Sequence, residues 1–512
     1  MKTIKKPISL FLTFVMIISI TWASPIISGA SDTLDPSKMT LEEYIAANIE
    51  NFVQEINISH YILENNAWIA RIINNDSDAL IDEINIMTLD IIQNNPQFFY
   101  VESAVSASFS ASINTNTNTI VFLNFRISLN YFMTSNEYRA AKRRFDNAVA
   151  EALDYAKNAD TEFEKALALH DYLVLNTVYD SDSLNHFLNT GKVLRHSSHT
   201  AYGALVNGTA VCDGYSKAYM YLLNRVGVEN RIITGTARNV PHAWNVVKID
   251  GAWYHVDVTF NDPLINNQFD LHGRVSHTFF LLSDAALIGN QTHADWTLPA
   301  GIRANSSAYD NAFFRDVETA VIKLGDFLYW IHSSTPSRGT NNNSIRRYNI
   351  NTGAISTLHS FEAIWFLDGS ENRWVLASFV SIAAYNNIIY FNTAREIRSY
   401  DPATGAVETI HTPANLGGSG NRFIHGLTMR GETITYTIKT HAATADNFFE
   451  ISVPSSFVEE PLTDEDALII LKYEVGLIIL TPQQRARYDL NGDGYIDSTD
   501  ALIILKMLVG LL

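Results

Sequence analysis

The sequence predicts a multidomain α+β protein, and three observations support this fold class. Helical spacing dominates residues 38–100 and returns after residue 136, strand-like segments with Gly turns recur over 310–455, and two similar helices end the chain. At 512 residues the chain is too long for one core. A hydrophobic content of 47% with 18% charged residues is typical of folded proteins.

The N-terminal segment has the features of a secretory signal peptide. Lys2, Lys5 and Lys6 precede an apolar run from Ile8 to Ile20, which is too short to span a bilayer comfortably as a helix. Small residues before position 31 predict cleavage after Ala30, and an uncleaved anchor is the alternative. We therefore expect a secreted, extracellular and soluble mature protein.

Net charge and cysteine content restrict the possible partners. The formal charge of −18 argues against nucleic acid as a partner and, once the signal is cleaved, against an anionic membrane surface. Cys212 is the only cysteine, so it cannot form an internal disulfide in an exported chain. It is either a reactive thiol or a buried, inert side chain.

Residues 31–150 are expected to form an α+β support domain. Thr40 is placed to cap a helix, with Glu43 reaching back as the partner of a capping box. A polar segment between two apolar runs suits a hairpin loop. The spacing predicts helices over 81–92, 136–156 and 162–175, and strands over 98–101 and 120–127.

Residues 306–455 are expected to form a β-rich domain. Strands are predicted over Phe327–Ile331, Ile388–Phe391 and Thr433–Thr437. The segments Arg347–Ile355 and Ser399–Val407 align with a shift of 52 residues, and each contains a Thr-Gly turn. This pattern resembles the blade repeat of β-propellers, although only about three units fit. The fold of this domain is left open between a partial propeller and a small β-sandwich. Its role is left open between an accessory module and a binding surface.

Residues 461–512 contain a second repeat and a candidate calcium loop. Thr463–Gly476 matches Asp497–Gly510 at an offset of 34, which predicts two similar helices. Between them, oxygen donors alternate and Gly494 permits a sharp turn, as in a calcium-binding loop. An Asp/Gly-rich surface turn is the alternative. The candidate ligands are Asp489, Asn491, Asp493, Tyr495 (through its carbonyl), Asp497 and Asp500.

This repeat resembles the type I dockerin family, whose members bind a cohesin on a scaffold protein or cell surface. By that resemblance Ser498 and Thr499 belong to the face that contacts the cohesin. The first repeat departs from the pattern, because Ser455, Phe457 and Glu459 stand where Asp, Asn and Asp are expected. We therefore expect one structural Ca²⁺ instead of two.

Cys212 is predicted to begin a helix. The segment that follows it has helical spacing and ends before Gly227. Free amide groups and the positive end of the helix dipole favour a thiolate at this position.

A hairpin supplies a histidine and an aspartate for this thiol. Asp250-Gly251 is a type I′ turn signal, and it sets His242 opposite Thr259, with Asp257 on the same face. His242 is then the base for the thiol, and Asp257 orients its imidazole. His255 lies on the same face but nearer the turn, and is interpreted as structural.

The central region resembles the transglutaminase-like superfamily over about residues 150–300. The matching motifs are His170–Leu173, His199–Lys217, Pro241–Asn245, Trp253–Thr259 and His277–Asp284. The resemblance implies a papain-like core with Cys212, His242 and Asp257 as catalytic triad. It leaves the oxyanion donor open between the Tyr202 side chain and the Cys212 backbone N–H, and a core aromatic is the alternative for Tyr202.

These observations predict a secreted cysteine enzyme that attacks a protein amide, either a peptide bond or a glutamine side chain, and forms a thioester. Water would then give hydrolysis, which we favour, and an amine would give cross-linking. No cofactor is expected for catalysis. The rival class is a non-catalytic component of an extracellular scaffolded complex. The predicted divisions are 1–30 (signal peptide), 31–150, 151–305, 306–455 and 461–512.

Overall fold

The fold is described from a computed structural model. It covers residues 34–511 with the exception of residues 75, 266–268, 334–341, 364, 366–378, 415, 417–421, 441–446, 454–461, 479 and 481. The predicted signal peptide lies outside the described residues, as do the first-repeat positions 455, 457 and 459.

The N-terminal part packs four helices beside a three-stranded antiparallel sheet of order β1-β3-β2, and a long fifth helix follows. Thr40 and Glu43 form the predicted capping box, since the Thr40 Oγ1 accepts from the Glu43 N–H at 3.2 Å and the Glu43 Oε2 accepts from the Thr40 N–H at 2.8 Å. The elements are α1 (Leu41–Glu50), β1 (Glu55–Asn57), α2 (Ser59–Glu64), α3 (Asn66–Ile73), α4 (Ser77–Gln93), β2 (Ser106–Asn114), β3 (Thr119–Ser128) and α5 (Ser135–Tyr155).

The strand predicted over residues 98–101 is wrong. Pro96–Phe98 is a 3₁₀ helix, and Val101 makes only an isolated bridge to Tyr131. The aromatic residues of this run pack into the core without forming a strand. Tyr100 is fully buried, and its ring stacks 4.7 Å from that of Phe52. The Ser-rich segment that was predicted as a loop forms β2 instead. Its pairing with β3 outweighs the low strand propensity of its sequence.

The central part places helices against a five-stranded antiparallel sheet of order β11-β8-β7-β6-β12. A two-stranded parallel pair, β4 with β5, lies just before α9 in the chain. The elements are α6 (Glu162–Asn176), β4 (Val178–Tyr179), α7 (Ser181–Thr190), α8 (Ala201–Leu205), β5 (Thr209–Ala210), α9 (Cys212–Arg225), β6 (Asn230–Ala237), β7 (Val240–Ile249), β8 (Ala252–Val256), β9 (Leu264–Ile265), β10 (Phe269–Asp270), β11 (Phe280–Leu282), α10 (Asp284–Gly289) and β12 (His293–Ala294). Further 3₁₀ helices are Pro36–Lys38 and His196–His199.

The β-rich part consists of consecutive antiparallel sheets in up-and-down order, two with four strands and one with three. The predicted repeat is present in the turns, because Gly353 donates to the Asn349 carbonyl and Gly405 to the Asp401 carbonyl, both at 2.8 Å. The strands are β13 (Ile322–Leu324), β14 (Phe327–Ser333), β15 (Asn342–Asn349), β16 (Ile355–Glu362), β17 (Ile382–Tyr385), β18 (Ile388–Asn392), β19 (Ile397–Tyr400), β20 (Val407–His411), β21 (Phe423–Arg430), β22 (Thr433–Lys439) and β23 (Phe448–Ser452).

The C-terminal part has the two predicted helices and a short third one between them. Its own small core contains Ile470, Tyr488 and Ile504. The helices are α11 (Asp464–Glu474), α12 (Pro482–Tyr488) and α13 (Ser498–Leu508). In the described part of the chain, no helix is both long and apolar enough to cross a membrane.

One buried apolar cluster runs from the N-terminal part through the central part into the β-rich sheets, from Leu41 to Phe423. The α+β class, the β-rich repeat and the helical C-terminal part are as predicted. The domain boundaries remain predictions. The central sheet and the helix α9 that packs on it provide the frame for the candidate site.

Candidate active site

Helix α9 begins at Cys212, as the sequence predicted. The preceding Val211 is extended (φ −101°), so the helix and its free first-turn N–H groups start at the thiol. The helix start packs closely on its surroundings: a Cβ at Gly214 would lie 2.5 Å from the Ser198 carbonyl oxygen and 2.8 Å from the Ala210 Cβ. Only glycine fits this approach.

Two buried hydrogen bonds fix α9 against strand β7. The Ser216 Oγ donates to the Ala243 carbonyl at 3.0 Å, and the Asn245 Nδ2 donates to the Ser216 carbonyl at 3.1 Å. Ser216 lies one turn after Cys212, and Ala243 is next to His242. The two bonds therefore hold the helix that carries the thiol against the strand that carries the histidine.

The β7–β8 hairpin follows the predicted register only in part. Asp250 and Gly251 have φ of 50° and 80°, as a type I′ turn requires, and Ile249 pairs with Ala252. The ladder ends at Asn245 with Val256, so the predicted pairing of His242 with Thr259 is wrong.

The chain turns away after Val256, and the Asp257 N–H bonds to the Phe279 carbonyl at 2.9 Å. His242 pairs with Gly235 of β6 instead. The predicted side-chain contact forms nonetheless, because His242 Nε2 lies 2.7 Å from Asp257 Oδ2.

His242 and Asp257 form a buried ion pair. Their side chains are only 7% and 2% exposed. Burial opposes the charged imidazole, but Asp257 and a hydrogen bond to Cys212 outweigh it and raise the pKa of His242 to about 10. Burial likewise opposes the Asp257 carboxylate, but His242 and a further histidine, His293, hold its pKa well below the usual range. The site therefore favours an imidazolium beside an ionised carboxylate.

The rival histidine, His255, has a different set of partners. Its Nδ1 accepts from the Trp244 Nε1 at 3.0 Å, and its Nε2 lies 2.8 Å from Asp284 Oδ1. The Trp244 ring in turn stacks on His242 at 5.7 Å. His255 thus supports the indole that covers the candidate base, which fits the structural interpretation.

Tyr202 packs in an aromatic cluster with the N-terminal part. Its ring lies 4.7 Å from that of Phe99 and 6.4 Å from that of Phe145, and the Arg144 guanidinium lies 6.0 Å from its centre. These contacts fit the alternative of a core aromatic. The oxyanion role of Tyr202 stays a prediction.

Sequence reasoning missed two histidines near the site. His293 Nε2 lies 2.7 Å from the same Asp257 oxygen that contacts His242. His199 Nδ1 lies 3.0 Å from Asp213 Oδ2, the residue next to Cys212. No local signal identifies His293, because its two-residue strand β12 reaches the site only through pairing with β6. His199 lies inside a quoted motif and could have been found by its proximity to Cys212 in sequence.

Two clusters among the described residues bring two histidines to one aspartate: His242 and His293 at Asp257, and His170 and His277 at Asp171. In both clusters the nitrogens lie 2.7–2.9 Å from one carboxylate oxygen. These are hydrogen-bond separations. We therefore describe both clusters as hydrogen-bonded groups and assign no metal to either.

In the candidate calcium loop, residues 489–500, one carboxylate is buried and the others are partly or fully exposed. Asp500 is fully buried, and its Oδ1 and Oδ2 accept from the backbone of Leu490 (2.9 Å) and Asp497 (3.0 Å). The Asp489 Oδ1 is buried and has no hydrogen-bond partner among the described residues. An orphaned carboxylate oxygen within a set of hard oxygen donors suits Ca²⁺. The donors are Asp489, Asn491, Asp493, the Tyr495 carbonyl, Asp497 and Asp500.

Two known families match parts of the chain. Residues 148–258 match the model of the transglutaminase-like superfamily, and residues 463–509 match that of the dockerin type I domain. The chain has a transglutaminase-like core and a type I dockerin domain. The predicted papain-like transglutaminase core and the dockerin-like tail are thereby confirmed, and the core contains Cys212, His242 and Asp257.

Three solved structures show weak similarity to the chain. They are a "TGase" (17% identity, 30% of this chain and 44% of that one, TM-score 0.22), a "putative cysteine protease" from Cytophaga hutchinsonii (12%, 30% and 64%, 0.18) and a "putative protease" from Parabacteroides distasonis (7%, 60% and 62%, 0.18). The matches span less than two thirds of each of these chains, and TM-scores this low carry no argument. A search of curated proteins finds no match.

Proposed function

We propose that this protein is a secreted cysteine acyl-transfer enzyme that acts on protein amides. The observation that carries the proposal is the buried 2.7 Å contact between His242 and Asp257, on a strand fixed beside the helix that begins at Cys212. Because His242 uses Nε2 for Asp257, its Nδ1 is left to hydrogen-bond the sulfur. A thiol, a base and an orienting carboxylate in this order constitute an activated nucleophile.

The reaction follows from these positions. His242 takes the thiol proton, and the Cys212 sulfur attacks the amide carbonyl carbon to form a tetrahedral intermediate. In this proposal the Cys212 backbone N–H at the start of α9 stabilises the oxyanion. When the C–N bond breaks, the imidazolium returns its proton to the leaving amine and a thioester remains. Water or a second amine then attacks the thioester and regenerates the thiol.

Mass spectrometry of a protein mixture tests this proposal and identifies the acceptor. The mature protein is incubated with extracellular proteins and a biotinylated amine, with Cys212→Ala as the control. New peptide ends or Gln-to-Glu changes indicate water, and biotin on glutamine indicates an amine. Products that also form with Cys212→Ala, or no product with either protein, would contradict the enzymatic function and favour a non-catalytic binding component.

We also propose that the C-terminal domain attaches the enzyme to a cohesin-bearing scaffold or cell surface outside the cell. Type I dockerins generally bind calcium, and the loop 489–500 fits one ion by its donors and by the orphaned Asp489 oxygen. A bound ion would neutralise the clustered carboxylates at the start of α13. Apolar side chains stay exposed on α11 and α13, including Leu468 (50%) and Leu502 (49%), which suits a protein partner.

A further inference from the structure

Asp257 is shared equally between two histidines. His242 Nε2 and His293 Nε2 both lie 2.7 Å from Asp257 Oδ2, and the other oxygen, Oδ1, accepts from the Phe260 N–H at 3.0 Å. A carboxylate only accepts hydrogen bonds, so both Nε2 atoms must carry protons. The second nitrogen of His293, Nδ1, lies 2.8 Å from the Thr292 Oγ1, whose hydroxyl can donate to it. His293 can therefore donate to Asp257 as a neutral imidazole.

His293 is held in place independently of the catalytic helix. It lies on the edge strand β12, paired with Ala237 of β6, and is 5% exposed. Its ring packs against Phe260 (4.9 Å), Trp244 (5.0 Å) and Phe279 (5.2 Å). An aromatic enclosure of this kind fixes the ring orientation, and in this orientation Nε2 lies 2.7 Å from Asp257 Oδ2.

We propose that His293 is a positioning residue for the acyl transfer: it donates to Asp257 and thereby limits how tightly Asp257 holds the proton of His242. The inference rests on the function proposed above. A carboxylate oxygen that accepts two charge-assisted hydrogen bonds gives less charge to each donor. The imidazolium is then acidic enough to protonate a leaving amine, while the carboxylate still orients it.

Loss of His293 should therefore make His242 more basic. Without the second donor, the full charge of Asp257 acts on the imidazolium, which loses its proton at higher pH. The other titratable and charged groups that face Asp257, His242 or the ring of Phe260 stay in place when position 293 alone is changed. These groups are Cys212 and Asp213 on α9, His170 on α6, Tyr179 on β4 and Arg238, whose guanidinium lies 5.1 Å from the Phe260 ring centre.

The pH dependence of Cys212 alkylation tests this role without a known substrate. Because Cys212 is the only cysteine, intact mass reports the rate of its reaction with iodoacetamide between pH 5 and pH 11. The profile should show an upper step near pH 10, where the imidazolium of His242 loses its proton. The variants are His293→Leu, His293→Gln and His293→Asn, with His255→Leu as the matched buried control.

We expect His293→Leu to move the upper step to higher pH by about half a unit or more. This shift is the expected effect of losing one charge-assisted hydrogen bond to Asp257, which in turn contacts His242. Gln places an amide N–H near the position of Nε2 and should restore the profile. Asn is too short and should behave like Leu, and His255→Leu should leave the step in place. Thermal melting monitors folding, and the Gln–Asn comparison decides the question if His293→Leu does not fold.

Two outcomes would overturn the inference: an upper step that does not move in His293→Leu or His293→Asn, or one that moves equally in His293→Gln. Failure of the underlying function is distinguishable. In that case the wild-type protein itself would react as an ordinary thiol, with a single step at about pH 8.5.

Discussion

Replacing Asp257 with asparagine tests the electrostatics of the site most sharply. Asparagine keeps the shape of the side chain but removes its negative charge. All the partners of the Asp257 carboxylate are donors, so the amide N–H₂ must face either the two histidine Nε2 atoms or the Phe260 N–H. At 1.36 kcal/mol per pH unit, the rise of the His242 pKa from 6.5 to about 10 corresponds to about 5 kcal/mol in favour of the imidazolium. Burial is the largest influence on this group and acts in the opposite direction. Without the Asp257 charge, the neutral imidazole should therefore prevail.

The expected loss can be measured at a single pH. In the wild-type protein the His242 imidazolium lies in hydrogen-bond contact with the Cys212 sulfur and favours the reactive thiolate over the thiol. An ordinary thiol with a pKa of about 8.5 is ionised at pH 6 to roughly one part in 300. We therefore expect Asp257→Asn to lower the iodoacetamide alkylation rate of Cys212 at pH 6 on the order of 100-fold.

The matched control is Asp284→Asn, which removes the carboxylate from the rival histidine His255. This control should react within threefold of the wild-type protein. If Asp257→Asn, shown to be folded by its melting temperature, also reacts within threefold of wild type, then Asp257 does not sustain the ion pair. The catalytic assignment would then be refuted.

Three further predictions concern stability. Gly214→Ala should cost about 1–3 kcal/mol in urea unfolding, because its Cβ meets backbone at 2.5 Å, whereas Gly289→Ala, with open space around it, should not destabilise. Burial disfavours the Asp171 carboxylate, but His277 and His170 outweigh this effect and lower its pKa. The ionised carboxylate therefore stabilises the fold above about pH 4, and this contribution is lost as the pH falls through the lowered pKa. The difference in melting temperature between the wild-type protein and Asp171→Asn should accordingly become smaller at pH 3. A chelator should reversibly lower the helical circular dichroism signal of residues 455–512, and calorimetry should show that this segment binds one Ca²⁺. Asp489→Ala should abolish both the chelator effect and the binding. A spectrum that the chelator leaves unchanged would refute the calcium site.

The sequence was informative where local chemistry fixes the geometry. The turn residues Asp250 and Gly251 set the hairpin register near the turn, and the helix start at Cys212 was evident from spacing. The capping box at Thr40 and the repeated Thr-Gly turns of the β-rich part were also predictable. In each case the contacts involved are only a few residues apart.

Contacts between distant segments were not predictable. The β7–β8 ladder ends at Val256, because the next residue, Asp257, hydrogen-bonds to the backbone of Phe279. Phe279 immediately precedes β11, the other strand that pairs with β8. His293 reaches Asp257 from 36 residues away through a two-residue edge strand. The run 98–101 has strand composition but is buried by aromatic packing. None of these outcomes has a local pattern, since long-range pairing decides each one.

The central claim is that Cys212 becomes covalently acylated with the help of His242. The direct measurement is peptide mapping after brief reaction with p-nitrophenyl acetate at pH 7. The account predicts one acetyl group on Cys212, formed on the order of 100-fold more slowly in His242→Ala. Acetylation confined to lysines, or equal acetylation of Cys212 in both proteins, would contradict it.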